Sequence, residues 1–508
     1  MLKGCNRDGE FALTARITRR GLLGAMLSGV AAPLWADAPR KVPRPPRRPE
    51  RGAVGETAED KSLRRMIEAA KLSGTLAYAV ADRATGQVLA ARNATQLLPP
   101  ASVAKAVTAL YALEKLGPSF RFRTRVMRLG TIANGRLEGD LVLVGGGDPN
   151  FDTDQMGDLV AALVAAGVRE VTGRFLAVEG ALPYRFQIAA DQPAFLGYNP
   201  AISGLMLNYN RVNFEWARAG GGWTLGMDAR GERFMPKVAM ARAEVVSREL
   251  PLFAYSAEAG VDRWTVAAAS LGDGGSRWLP VRQPGVYVAE VFQTLCAAHG
   301  LRLKEAEVVR DVPEGAVEIV AHAGEELPVV LQKMLKFSTN LTAEAVGMTA
   351  SSAGTLEGSA AAMTVWARRR FGIAAVFGDH SGLGGKSRIT VLDLVQVLLR
   401  AGQALHGGLL EGILRDHGLA DAEGREVKDS ATRIRAKSGT LNFVSGLAGY
   451  ISGQGGRDLA FAIIAADPKR RAAVPMDQRE EPQGGPGWTK RARRLHQQLI
   501  RAWVRAYL

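Results

Sequence analysis

The feature that most limits how this chain can fold is a change of hydrophobic period along its 508 residues. Residues 57–72 carry Leu63, Ile67 and Leu72 at helical spacing. Residues 75–92 read as two strands around a turn at Ala84-Thr85-Gly86. After Pro99-Pro100 comes a helical stretch that stops at Gly117. From about 120 to 330 short strand-like runs alternate with Gly-rich turns, with one helical stretch, MGDLVAALVAAG, among them. Helical spacing returns over 327–350, broken by a turn at 338–340, and again over 390–418. AKSGTL, SGLAGYIS and DLAFAIIAADP then read as consecutive strands. The chain closes on a helix in which Leu495, Leu499, Ile500, Trp503, Val504 and Tyr507 share a face, expected to pack on a sheet rather than lie on a membrane. The middle third therefore predicts strand-rich material, as one or two subdomains, inserted between helical ends.

With 47% hydrophobic and 23% charged residues, the chain has the balance of a folded globular protein, which excludes a disordered or collagen-like one. Its net charge of +15 raises nucleic-acid binding, but the charge sits at the ends. Residues 39–52 hold six basic side chains against Glu50. Residues 489–508 hold Lys490, Arg491, Arg493, Arg494, Arg501 and Arg505 with no acid. The body between is close to neutral, so no nucleic acid is expected as a partner. The basic ends are expected to be drawn to anionic wall polymers or lipid headgroups, with a solvated tail as the alternative.

Thr18-Arg19-Arg20-Gly21-Leu22-Leu23 resembles a twin-arginine export motif. A short apolar run and the small-x-small site Ala36-Asp37-Ala38 follow, so residues 1–38 read as a signal peptide and 39–55 as a basic Pro-rich leader. The run is shorter than the ~20 residues a spanning helix needs. Export implies a periplasmic protein. Leu2-Lys3-Gly4-Cys5 lacks the apolar segment that should precede a lipidation box. Its removal would leave Cys296 alone, expected as a buried hydrophobe, and no disulfide.

Three short motifs carry chemistry. Ser102-Val103-Ala104-Lys105 opens a helix, so the i,i+3 spacing sets the Lys105 amine beside the Ser102 hydroxyl. A lysine with a lowered pKa can take the proton of a serine nucleophile. Ser338-Thr339-Asn340 places a hydroxyl and an amide on a turn, where a proton relay and a helix cap both fit. Lys437-Ser438-Gly439-Thr440 opens a strand whose lysine and hydroxyls suit a carboxylate, and whose glycine allows close approach. Taken singly each is weak. Together, in this order, they match the Ser-x-x-Lys, Ser-x-Asn and Lys-Thr-Gly set of β-lactamases and penicillin-binding proteins.

The surrounding residues sharpen the match. LLPPASVAKAVTALYALEKLG, LVLVGGGDPNF, ISGLMLNYNRVNF, FSTNLTAEAV, FGDHSGLGGKSRIT and AKSGTLNFVSGLAGYI make the chain resemble the class C low-molecular-mass penicillin-binding proteins, the D-Ala-D-Ala carboxypeptidase/endopeptidase family. The resemblance covers roughly residues 60–470. The 236-residue gap from Ser102 to Ser338 fits that family's inserted domains.

The resemblance implies an α+β fold: a β-lactamase/transpeptidase-like catalytic domain, an antiparallel sheet with helices on both faces, from 56–118 and 331–508. Residues 119–330 would be the insert. It implies Ser102 as acylated nucleophile, Lys105 as base and Ser338 as proton relay. Asn340 would orient the substrate amide, and Lys437 and Ser438 would hold the terminal carboxylate. The amides of Ser102 and Thr440 would form the oxyanion hole. The partners implied are peptidoglycan stem peptides and, as covalent inhibitors, β-lactams. No metal or cofactor is expected. A catalytically silent wall-binding protein, or an esterase or β-lactamase on the same scaffold, stays open as an alternative.

Three positions depart from the family pattern. Ser438 stands where threonine is frequent. His380 stands where glycine is usual and would be strained if its φ were positive. Val178-Glu179-Gly180 stands where an aspartate-containing segment is usual, which bears on side-chain recognition of the stem.

Overall fold

The computed structural model describes residues 61–258, 260–404, 408–419, 427 and 431–508. The expected signal peptide, the expected 39–55 leader and Cys5 lie outside the described residues.

The two ends of the chain meet in one antiparallel sheet of six strands. Its order is Arg415–His417, Arg433–Leu441, Val444–Ser452, Asp458–Ala466, Thr75–Asp82, Val88–Arg92. Thr75–Asp82 shows why both faces are covered. Ala77, Ala79 and Ala81 point to one side, Leu76, Tyr78 and Val80 to the other, and all six are buried. The small alanines let helices Ala104–Leu116 and Val391–Ala404 approach one face, in a core with Val107, Leu110, Val395 and Leu398. The larger side chains meet Leu63 of the helix Lys61–Ala69 and Trp488, Leu495, Leu499, Ile500 and Trp503 of the C-terminal helix Gly485–Tyr507. The expected antiparallel sheet between helical layers is present, and the C-terminal helix lies on it as predicted. Among the described residues no helix is long and apolar enough to cross a membrane.

The middle of the chain forms three further sheets. One mixed sheet includes Arg123–Ala133, Arg136–Val144, Phe175–Val178, Ala306–Val309 and Val317–Ala323. Two sheets have three strands each, drawn from residues between Arg211 and Pro280. The helix Thr153–Ala165 covers the expected helical stretch and begins on an Asp152–Gln155 capping box. A second helix, Pro284–Ala298, was not foreseen. Its Val and Tyr residues resemble a strand run, but Pro284 at its first position and Gly300 just beyond its end punctuate it as a helix. Cys296 is fully buried there.

Other elements also differ from the sequence reading. The single helix expected over 390–418 is not continuous. Val391–Ala404 ends before Gly408, whose φ is 86°, a short helix Leu409–Ile413 follows, and Arg415–His417 is a strand. A helix Leu356–Phe371 was not singled out. Its Thr355 accepts from the Gly358 amide as a cap, and Gly372 closes it.

Trp503 is 2% exposed and packs on the rings of Tyr78 and Phe461, with centroids 5.6 and 6.0 Å away. Trp503→Ala is expected to lower unfolding stability in denaturant titration by about 3–5 kcal/mol. A helix that served a membrane instead would leave stability unchanged.

Candidate active site

Ser102 lies in a 3-10 turn, Ala101–Val103, that runs into the helix Ala104–Leu116. The turn is held from two sides. Ala101 has φ 48°, an uncommon conformation for a residue with a Cβ. Gly382, at φ 75°, lies against it so closely that an added Cβ would come within 1.9 Å of the Ala101 carbonyl oxygen. On the other side is Gly439. A Cβ there would stand 2.8 and 2.9 Å from the amide nitrogens of Ser102 and Val103. Glycine at these two positions is what lets the Ser102 turn sit between a loop and a strand.

Lys105 follows one turn on and is wholly buried. Its Nζ lies 2.9 Å from Ser102 Oγ and donates to Asn340 Oδ1 at 2.7 Å and to the Ser381 carbonyl at 2.9 Å. Burial pulls its pKa well below the usual lysine value. The nearby Lys437 charge adds to that, while Glu344 and Asp379 oppose it. A neutral amine beside a serine hydroxyl can accept its proton.

Ser338 caps the helix Leu327–Phe337 in the left-handed conformation, φ 59°, and Asn340 opens the next helix, Asn340–Ser351. Ser338 Oγ accepts from Lys437 Nζ at 3.0 Å. Asn340 Nδ2 donates to the Tyr198 carbonyl at 2.9 Å. Lys437 lies within the strand Arg433–Leu441, further along it than expected. Its side chain turns inward, 2% exposed, and also donates to the Ser438 carbonyl at 2.6 Å. Burial, with Arg415 nearby, lowers its pKa to about 7. Ser438 and Thr440 alternate to the exposed side. The structure thus brings the expected residues together as two hydrogen-bonded groups, Ser102–Lys105–Asn340 and Ser338–Lys437. Ser102, Ser338, Asn340, Ser438 and Thr440 line a cleft of about 730 Å³.

The open edge of the sheet runs along this cleft. The outer strand Arg415–His417 pairs only with Ile434–Ala436. From Lys437 onward that side of the strand has no strand partner among the described residues, which leaves an edge along which an extended peptide can pair.

Several residues that shape the site were missed from sequence. Glu344 is wholly buried, and its carboxylate accepts from the amides of His380 and Ser381, both at 2.9 Å. Asp379 accepts from the amides of Gly382 and Gly384, both at 2.7 Å. Together they fix the loop whose Ser381 carbonyl holds Lys105. The available signal was spacing, since Glu344 stands four residues after Asn340 on one helix. The opposite wall of the cleft carries Tyr198, on a loop held by buried Arg282, which donates to the carbonyls of Phe186, Ala194 and Asn199. Glu179, the position where an aspartate was expected, accepts from Ser203 at 2.9 Å and is not among the residues lining this cleft.

The strain foreseen at His380 is absent. Its φ is not positive, and the left-handed residue of the loop is Gly382. The ring is instead buried, with Nε2 2.6 Å from Ser359 Oγ, in space left by Gly347. A Cβ at Gly347 would lie 2.2 Å from His380 Cγ. Gly347→Ala is therefore expected to cost more than about 2 kcal/mol in chemical denaturation. The same change made on a His380→Gly background should cost little or stabilise, since alanine is the better helix residue. Equal costs on both backgrounds would show that the two positions are not in contact.

Comparison with known proteins accords with this geometry. Over 433 residues the chain is 27% identical to a D-alanyl-D-alanine carboxypeptidase of Actinomadura sp. (strain R39), covering 78% of this chain and 79% of that relative. It is 22% identical over 395 residues to D-alanyl-D-alanine carboxypeptidase DacB of Haemophilus influenzae, covering 74% and 82%. The fold is similar to the crystal structure of penicillin binding protein 4 (dacB) from Haemophilus influenzae, with a TM-score of 0.65 at 20% identity, covering 80% of this chain and 93% of that one. The model of the D-Ala-D-Ala carboxypeptidase 3 (S13) family matches residues 60–483, and the chain belongs to that family, as its resemblance to the class C low-molecular-mass penicillin-binding proteins implied.

Proposed function

We propose that this chain carries out its family's reaction, hydrolysis of the D-Ala-D-Ala end of peptidoglycan stem peptides, through an acyl-enzyme on Ser102. The observation that carries the reading is the buried Lys105 amine, 2.9 Å from the Ser102 hydroxyl, with a pKa pulled well below the usual lysine value by burial. Ser102 attacks the carbonyl of the penultimate D-Ala as Lys105 takes its proton. The Ser102 and Thr440 amides receive the oxyanion, usually a large catalytic contribution. Ser338, bridged to Lys437, passes a proton to the leaving amine. Asn340 braces Lys105 and orients the substrate amide. Ser438, with the Lys437 charge behind it, attracts the terminal carboxylate. Water then hydrolyses the ester. Endopeptidase cleavage differs only in the leaving amine, which then belongs to a cross-linked stem.

β-Lactams are proposed to acylate Ser102 in place of the peptide. The Haemophilus influenzae structural relative was crystallised with one. A catalytically silent binder would have no use for a buried, neutral lysine at a serine. Rapid turnover of the β-lactam would favour a β-lactamase instead.

We place the protein in the periplasm, exported by the twin-arginine route, with 119–330 as a domain inserted between the two halves of the catalytic body at 56–118 and 331–508. The three middle sheets, none sharing a strand with the catalytic sheet, support that division. The basic ends would be drawn to anionic wall or membrane surfaces. Sedimentation with cell walls that does not weaken as salt rises would exclude that attraction.

Release of D-Ala from an N-acetylated stem pentapeptide tests the reaction. Ser102→Ala should lower the rate by at least about 10³-fold. The pH profile of kcat/KM should be bell-shaped. Activity rises as Lys105, whose pKa burial pulls well below the ordinary lysine value, loses its proton. It falls as pH passes about 7, where Lys437 gives up the charge that attracts the carboxylate. A rate that climbs steadily to pH 10 would rule out that role for Lys437.

A further inference from the structure

The leaving D-amino acid carries its α-carboxylate one residue beyond the scissile carbonyl, about 3.8 Å along the chain. Whatever reads that carboxylate must therefore adjoin the oxyanion site at Ser102 and Thr440. Lys437 does so only from behind, because its amine is turned into the protein toward Ser338 and the Ser438 carbonyl.

A second cation stands in front. Arg493, on the C-terminal helix Gly485–Tyr507, donates from Nη2 to Thr440 Oγ1 at 3.0 Å. It is exposed and lines the catalytic cleft with Ser102, Ser438 and Thr440. It also lines an adjoining polar chamber of about 300 Å³ beside the same strand. That chamber is bounded by Arg415 and Arg493 and by no acidic side chain. His417 and His496 also face it, and burial lowers the pKa of both, so they add no charge at neutral pH. Among the described residues Arg493 forms no ion pair with an acid. Its position against Thr440 leaves the other guanidinium donors for an anion in the cleft.

Resting on the reaction proposed above, we infer that Arg493 is a specificity residue that binds the free α-carboxylate of the leaving D-amino acid, together with the Thr440 and Ser438 hydroxyls. The occupant is the acid form of the C-terminal residue, because an amide there offers the guanidinium no negative charge. Part of the basic character of the C-terminal helix then serves the substrate and not a distant surface.

The test compares hydrolysis of diacetyl-L-Lys-D-Ala-D-Ala with that of its C-terminal amide, for wild type, Arg493→Gln and Arg493→Lys. Arg493→Gln should lose about tenfold in kcat/KM on the acid, in the range for a hydrogen bond to a charged group, while its rate on the amide holds. The loss should appear mainly in KM, and Arg493→Lys should recover part of it. An unchanged acid-to-amide ratio in Arg493→Gln, with wild type active, would overturn the inference alone. A wild type that releases D-Ala from neither substrate would overturn the reaction on which it rests.

Discussion

Much of the site follows from one demand, that a lysine amine be held without water beside a serine. A buried ammonium is costly, and that cost pulls the pKa of Lys105 well below the usual lysine value. The amine still needs partners, and it has three from different parts of the chain: Ser102 in its own turn, Asn340 across the cleft and the Ser381 carbonyl. Each partner has its own support. Ser381 is fixed by Glu344 through two backbone amides, and Asn340 is anchored on Tyr198. Burial, with the Asp379 carboxyl close by, raises the pKa of Glu344 to about 8.

The sheet supplies the other half. Its outermost strand stops pairing at Ala436, one residue before Lys437, so a peptide can continue the sheet just where the Ser102 turn lies beneath Gly439. The C-terminal helix packs its tryptophans on the far face and reaches back with Arg493 to Thr440. Stability and recognition therefore share one element. Losing the helix would strip a core and change the cleft together.

How much was legible in the sequence depends on distance along the chain. Ser102 and Lys105 are one helical turn apart, so their contact follows from i,i+3 geometry. The contacts of Lys105 with Asn340 and of Lys437 with Ser338 span 235 and 99 residues, and only the ordered set of motifs pointed to them. Glu344 escaped because a single carboxylate in an apolar run has no pattern to mark it, and Asp379, though inside a quoted segment, because its partners are backbone amides of its own loop. Arg493 was hidden in a basic run, since counting charge does not say which side chain faces the cleft. The helix Pro284–Ala298 was lost among strands because β-branched and aromatic residues dominate its start. His380 was misjudged because φ is a property of the loop, and the loop assigns its left-handed turn to Gly382.

The most direct test of the account is the mass of the intact protein after exposure to benzylpenicillin, with peptide mapping of any adduct. The account predicts one equivalent bound covalently at Ser102, and none on Ser102→Ala. An unmodified wild type, or an adduct that survives in Ser102→Ala, would contradict the claim that Lys105 activates Ser102.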